Sequence, residues 1–308
     1  MSWSAKLPLV GAGGEPVDLL RTLTSHGVAD LPPNRIDEEA CTLEVTLRPV
    51  RGRPRIVHLG RGPASGTALA TVLGPAPSAG VAESLLGRVR HVLRLDEDLS
   101  DFYARVQDDP DLAWAARGAG RLMRSATVFE DVVKTICTTN CAWSATVRMV
   151  GAIVEHLGEA APGAPAEGPN GRAFPTPTAM AEAGDAFYKD VARTGYRGAY
   201  LRALAASVAE GALDLEELER ASRDELPDAE VAARLLALPG VGPYAAAHVM
   251  MLIGRYSPLI LDSWTRPKYA RVNGRKASDA AIERRFQRYG PYAGLAFWLY
   301  LTRDWVAD

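Results

Sequence analysis

Two short segments hold residue types whose spacing supports chemistry. In Leu259-Ile-Leu-Asp-Ser-Trp-Thr-Arg266, Asp262 directly follows three apolar residues. A carboxylate so placed has a partly desolvated neighbourhood, which marks either a helix N-cap or a working acid, and one Asp can be both. Upstream lies Leu238-Pro-Gly-Val-Gly-Pro-Tyr-Ala-Ala246. Gly240 and Gly242 give a tight hairpin its backbone freedom and leave no side chain in front of it. Pro243 suits the first position of a helix, where its missing N–H costs little. The unpaired N–H groups of that helix start then face outward with the positive end of its dipole, a ready site for a phosphate. A plain helix-turn-helix connection held by glycines is the alternative, but Leu-Pro-Gly-Val-Gly with an apolar helix behind it is far more specific than Gly-x-Gly alone. Tyr244 and His248 stand one turn apart on one face of that helix, as ligand contacts or as ordinary packing.

These groups need elements to hold them. Cys41–Leu47 alternates apolar and polar residues, the period-2 mark of a half-buried strand, and Arg51–Pro54 reads as a turn into a returning strand over Arg55–Leu59. A helix is expected over Val81–Leu93. From about residue 113 the pattern is helical: one or two buried helices within Val128–Leu157, a Pro/Gly/Ala-rich surface loop over Glu159–Arg172, then helices at Thr178–Glu182, Tyr200–Glu210, Asp214–Ala221, Ala229–Ala237, Tyr244–Ile253 and Asp279–Tyr289. Strands first and helices after argue for an α+β chain: a small N-terminal antiparallel sheet domain over 1–112, then an all-helical region over 113–308.

Composition narrows the setting. The net charge of −2 does not announce a polyanion partner, but Thr265–Arg288 carries eight basic residues against Asp279 and Glu283. That local stripe is either a phosphate-binding surface or a solvated helix face. The three cysteines are too few for a disulfide framework and fit a reducing cytoplasm. The first residues lack the apolar core of a secretory leader, and no apolar run is long enough to span a bilayer. The bias to arginine and alanine, with only five lysines, suggests a GC-rich bacterial genome.

The Leu-Pro-Gly-Val-Gly hairpin paired with a downstream Asp resembles the helix-hairpin-helix GPD DNA glycosylase superfamily, nearest its 3-methyladenine glycosylase II and 8-oxoguanine glycosylase branch. The resemblance runs from about Arg121 to Arg271. Phe129–Asn140 is similar to the family helix ending at the loop that wedges DNA, and Arg193-Thr-Gly-Tyr-Arg-Gly-Ala-Tyr200 to its Gly-Tyr-Arg-x-x-Tyr segment. The N-terminal sheet is similar to the extra domain of those two subfamilies.

The resemblance implies a two-lobed helical core that holds a base flipped from damaged double-stranded DNA, in a monomeric cytoplasmic repair enzyme. Asp262 would stabilise the positive charge that builds on the deoxyribose as the N-glycosidic bond breaks, and would orient or deprotonate the attacking water. Bifunctional members place a Schiff-base lysine where this chain has Tyr244, and no lysine lies between Lys189 and Lys268. Base removal without strand cleavage is therefore implied, on alkylated purines. An 8-oxoguanine-type enzyme without lyase activity and a non-catalytic DNA-binding protein are the alternatives.

Tyr244, His248 and Trp264 would line the base pocket, while Gly240, Gly242, Asn140, Arg197, Arg266 and Lys268 would contact DNA. Asn140 or Trp143 would fill the gap left by the base, although an aromatic there is as readily core. A sodium or potassium ion would sit on the carbonyls of Leu236, Leu238 and Val241. No other cofactor is expected, and the four-cysteine iron–sulfur cluster of endonuclease III is absent. Ser263-Trp264 and the Asn140–Trp143 loop depart from the family pattern and leave the lesion open.

Overall fold

The computed structural model describes residues 3–306. Its sheet has five antiparallel strands in the order β1-β5-β4-β3-β2: β1 (Trp3–Pro8), β2 (Asn34–Asp37), β3 (Thr42–Leu47), β4 (Arg55–Arg61) and β5 (Thr67–Val72). The hairpin read from the alternation is β3–β4, with Leu43 opposite Leu59 and Val45 opposite Val57, all four buried. Short α1 (Leu19–Leu23) and long α2 (Ala79–Val92) cover the inner face, α2 through Ala82, Leu85, Val89 and Val92 at helical spacing.

The helices form two lobes. The first holds α4 (Val128–Thr138), α5 (Trp143–Leu157), α6 (Pro177–Glu182), α7 (Arg197–Ala209), α8 (Glu217–Arg220) and α9 (Asp228–Leu236). Its centre is α4, buried from Val128 to Cys137. Thr127 caps α4 by accepting the Glu130 N–H, and the Glu216 carboxylate accepts those of Val128 and Phe129. The second lobe holds α3 (Ser100–Val106), α11 (Thr265–Asn273), α12 (Asp279–Phe286) and α13 (Ala293–Thr302).

Between the lobes runs α10 (Pro243–Leu252). Ala245, Ala246, Val249 and Met250 join the first core, whereas Ala247, Met251 and Leu252 join the second. Tyr244, on its first turn, packs against both. An apolar helix with no polar face is what this two-sided burial requires. Leu99, Phe102, Val106 and Leu112 lie in the second helical core, so that core reaches back across the expected 112/113 boundary. Among the described residues no helix is long and apolar enough to cross a membrane.

Candidate active site

Asp262 lies in the link between α10 and α11. Its Oδ1 accepts the N–H groups of Trp264 at 2.9 Å and Thr265 at 2.6 Å, and its own N–H donates to Thr265 Oγ1 at 2.8 Å. This reciprocal cap opens α11 and fixes the carboxylate's direction. Its other oxygen, Oδ2, has no hydrogen-bond partner among the described residues. The residue is half-buried and lines a cleft of about 690 Å3. One oxygen is thus spent on positioning while the second is left for a ligand.

The same cleft is lined by Gly240, Gly242, Tyr244, Asn140, Tyr196 and Ser263. The α9–α10 hairpin closes through the Val241 N–H on the Leu238 carbonyl, 3.1 Å. Gly240 adopts φ +83°, and a Cβ there would stand 2.8 Å from Tyr200 Cδ2; the turn needs glycine for its conformation and for its neighbour. Gly242 is extended (φ −97°, ψ −176°), caps α10, and would meet nothing within 4 Å. The space beside it is open. The N–H groups of Gly242, Tyr244 and Ala245 have no acceptor among the described residues, so the positive end of α10 opens to this face.

Tyr244 anchors the floor. Its hydroxyl lies 3.3 Å from Thr138 Oγ1, and burial, with Asp262 adding to it, raises its pKa. Its ring stands 6.0 Å from that of His248, which in turn meets His26 edge-on at 5.6 Å. Burial pushes the His248 pKa down to about 4, so the ring is neutral. His248 is 6% exposed and backs Tyr244 without lining the cleft.

Asn140 is exposed at the tip of the α4–α5 turn, at φ +47°, a conformation asparagine tolerates better than most residues. Its Nδ2 donates to the Tyr196 hydroxyl at 3.4 Å. The Arg197 guanidinium turns inward, onto the carbonyls of Thr139 and Thr194, and packs 4.6 Å from the Tyr196 ring. It is only 6% exposed, so it holds the Thr139–Asn140 turn where a phosphate contact was expected.

Trp264 also departs from expectation. Its ring packs on Trp298 at 5.7 Å and Trp305 at 5.8 Å, and it does not line the Asp262 cleft. Arg266 is paired with Asp279, and Lys268 donates to both oxygens of Asp304 at 2.8 and 2.7 Å. Arg285 meets Asp111 and Arg288 meets Asp109, both acids from outside the stripe. Half of the basic stripe is therefore neutralised by folding. Sequence reasoning assigned neither Thr138 nor Ser263 to the site, and named Arg197 where its neighbour Tyr196 faces the cleft.

No family model and no curated protein matches the chain. Solved structures do. MBOgg1 in complex with a low-affinity DNA ligand aligns over 98% of this chain and 96% of its own, at 18% identity and a TM-score of 0.73. The 3-methyladenine DNA glycosylase from Archaeoglobus fulgidus aligns over 99% and 100%, at 20% identity and TM-score 0.68. The apo 8-oxoguanine glycosylase/lyase from Clostridium acetobutylicum aligns over 97% and 95%, at 18% identity and TM-score 0.71. The chain has the fold of these glycosylases, sheet domain included.

Proposed function

We propose that the protein is a monofunctional DNA glycosylase that hydrolyses the N-glycosidic bond of alkylated purines in duplex DNA, as a step of base excision repair. The observation that carries this is one carboxylate, Asp262, with a capped oxygen and a free one, in the same cleft as an outward-facing helix start. The glycosylase neighbours, one bound to a DNA ligand, support duplex DNA as the partner.

The chemistry follows from the groups present. As the C1′–N bond breaks, its electron pair leaves with the base and positive charge builds on the sugar. A fixed Asp262 Oδ2 beside C1′ stabilises that charge in a partly dried cleft. The same oxygen takes a proton from water as the water's oxygen bonds C1′. No lysine, arginine or histidine lines the cleft to protonate a leaving base. A cationic alkylated purine needs no such proton, because it departs neutral. This favours alkylated over oxidised purines. Gly242, Tyr244 and Ala245 N–H groups would take the neighbouring phosphate.

Strand cleavage through a Schiff base needs an unprotonated lysine nucleophile. The position after the hairpin is Tyr244, and Lys268 is 8% exposed and held by Asp304. In the hairpin the carbonyls of Leu236 and Val241 have no N–H donor among the described residues, whereas that of Leu238 accepts from Val241. These carbonyls would hold a sodium or potassium ion, which would stiffen the turn. The test is incubation with duplexes bearing single 7-methylguanine, hypoxanthine or 8-oxoguanine lesions, with and without later alkali. Breaks at 7-methylguanine only after alkali are expected. Breaks without alkali refute the monofunctional reading, and response to 8-oxoguanine alone refutes the substrate.

A further inference from the structure

At the end of α4, the wall of the Asp262 cleft is built from side chains whose hydrogens are already committed. The last carbonyls of a helix lack N–H partners. Thr138 Oγ1 donates to the Thr135 carbonyl at 2.7 Å, and Thr139 Oγ1 to that of Ile136 at 2.8 Å. The Cys141 thiol donates to the Cys137 carbonyl at 3.3 Å. A hydroxyl or thiol has one hydrogen to give. All three side chains line the cleft, and towards it each can only accept.

This fixes the role of the Tyr244 hydroxyl. It lies 3.3 Å from Thr138 Oγ1, whose hydrogen is on Thr135, so Tyr244 donates and Thr138 accepts. The hydroxyl has no other hydrogen-bond partner among the described residues, and its oxygen is left with acceptor capacity alone. Thr138, Tyr244 and Asp262 line one cleft. Burial, and after it the charge of Asp262, raise the pKa of the hydroxyl. The phenol therefore keeps the hydrogen it gives to Thr138, and the carboxylate stands within electrostatic reach of the phenol oxygen.

We propose that Tyr244 Oη and Asp262 Oδ2 together hold the attacking water, one hydrogen each, and that Thr138 is the positioning residue that keeps Tyr244 an acceptor. The proposal rests on the glycosylase reading and gives Tyr244 a task beyond lining the cleft. Water held in this way has both hydrogens engaged and a lone pair free for C1′. As its oxygen bonds C1′, the C1′–N bond breaks and the base leaves with that electron pair. The hydrogen on Asp262 passes to the carboxylate. The hydrogen on Tyr244 stays with the oxygen and becomes the hydroxyl hydrogen of the abasic sugar. A tyrosine free to donate would instead occupy the lone pair that the sugar needs, which is why the Thr138 contact matters.

Methanol tests this, because its hydroxyl has one hydrogen where water has two. When a 7-methylguanine duplex loses its base in aqueous methanol, C1′ of the product carries either a hydroxyl or a methoxy group, and mass spectrometry separates the two. Tyr244→Phe keeps the ring and loses the acceptor. It should slow single-turnover attack by water about tenfold, leave duplex affinity near wild type, and raise the methoxy-to-hydroxyl ratio about tenfold, since methanol never used that acceptor. Thr138→Val should act in the same direction, and Thr138→Ser, which keeps the hydroxyl, should restore rate and ratio. Thr138→Val added to Tyr244→Phe should change the ratio no further, because Thr138 acts through Tyr244. A merely structural role would slow both nucleophiles alike and leave the ratio at its wild-type value. Circular dichroism identifies a variant that does not fold; if Thr138→Val is one, Tyr244→Phe alone decides. A wild-type rate or a wild-type ratio in folded Tyr244→Phe overturns the proposal. Absence of base release by the wild type refutes the glycosylase reading and this proposal with it, whereas release with an unchanged ratio in every folded variant refutes the water assignment alone.

Discussion

Gly240 and Gly242 sit two residues apart in one turn, yet alanine at each should do opposite things. At Gly240 the backbone is left-handed, φ +83°, which costs an L-residue about 1–2 kcal/mol. The new methyl would also press on the Tyr200 ring at 2.8 Å, closer than carbon atoms approach. Tyr200 is partly exposed and can give way, so we expect Gly240→Ala to lose about 2–3 kcal/mol of unfolding free energy. At Gly242 alanine fits the backbone and meets nothing. The entropy gained from a stiffer unfolded chain and the poorer N-cap roughly cancel, leaving stability within about 0.5 kcal/mol of wild type. The methyl, however, occupies the space through which a phosphate must reach the α10 N–H groups. Losing one such charge-assisted bond costs about 1.5–3 kcal/mol, or roughly tenfold or more in duplex affinity. Urea titration and fluorescence anisotropy with a labelled duplex at fixed salt read the two effects separately. Wild-type duplex affinity in Gly242→Ala would show that this helix end does not grip DNA.

Three further expectations follow from particular side chains. Arg197→Lys keeps the charge but loses the fork onto Thr139 and Thr194, so it should cost about 1–3 kcal/mol of stability and leave the salt dependence of duplex binding unchanged; a shallower salt slope with full stability would place Arg197 on a phosphate instead. Lys268→Met should change stability by less than about 1 kcal/mol, because Asp304 is largely exposed, and neither protein should give a borohydride-trapped DNA adduct; an adduct in the wild type that vanishes in the variant would make Lys268 a nucleophile. His248 has a folded pKa of about 4 against 6.5 unfolded, so as pH falls below about 6.5 the unfolded chain takes up a proton that the native state declines, and stability drops. His26 and His91 act in the same direction, and Asp131, raised to about 7 by burial, opposes them. His248→Phe should remove about 1.4 kcal/mol per pH unit from the slope between pH 6 and 4.5; an unchanged slope would mean the ring is charged in the fold.

Legibility in the sequence tracked how local each signal was. The β3–β4 hairpin and α4 announce themselves by period, and the hairpin before α10 by its glycines and proline. β5 alternates buried and half-buried positions, but its Ala and Thr side chains are too small or polar to show it. β1 is an edge strand with only Leu7 buried, and α13 is apolar all round and so has no period at all. The start of α11 is fixed by the Asp262 cap, although Pro267 and its charges hide the helix. Asp262, Gly240, Gly242 and Tyr244 could be read together because one turn and one helix bring them together. Trp264 went astray because facing depends on Trp298 and Trp305, which no spacing near Asp262 reveals. The basic stripe looked stronger than it is, since Asp109, Asp111 and Asp304 reach it from distant parts of the chain. His26 lies more than 200 residues from the helix it touches, and only the fold shows the pairing.

The most direct measurement is single-turnover base release by Asp262→Asn on a 7-methylguanine duplex, beside its affinity for the same duplex. Asparagine can still cap α11 through its side-chain oxygen, so fold and DNA affinity should stay near wild type. Base release should fall at least about 100-fold, because the free carboxylate oxygen is gone. Release at the wild-type rate by a folded, DNA-bound Asp262→Asn protein would contradict a catalytic role for that carboxylate.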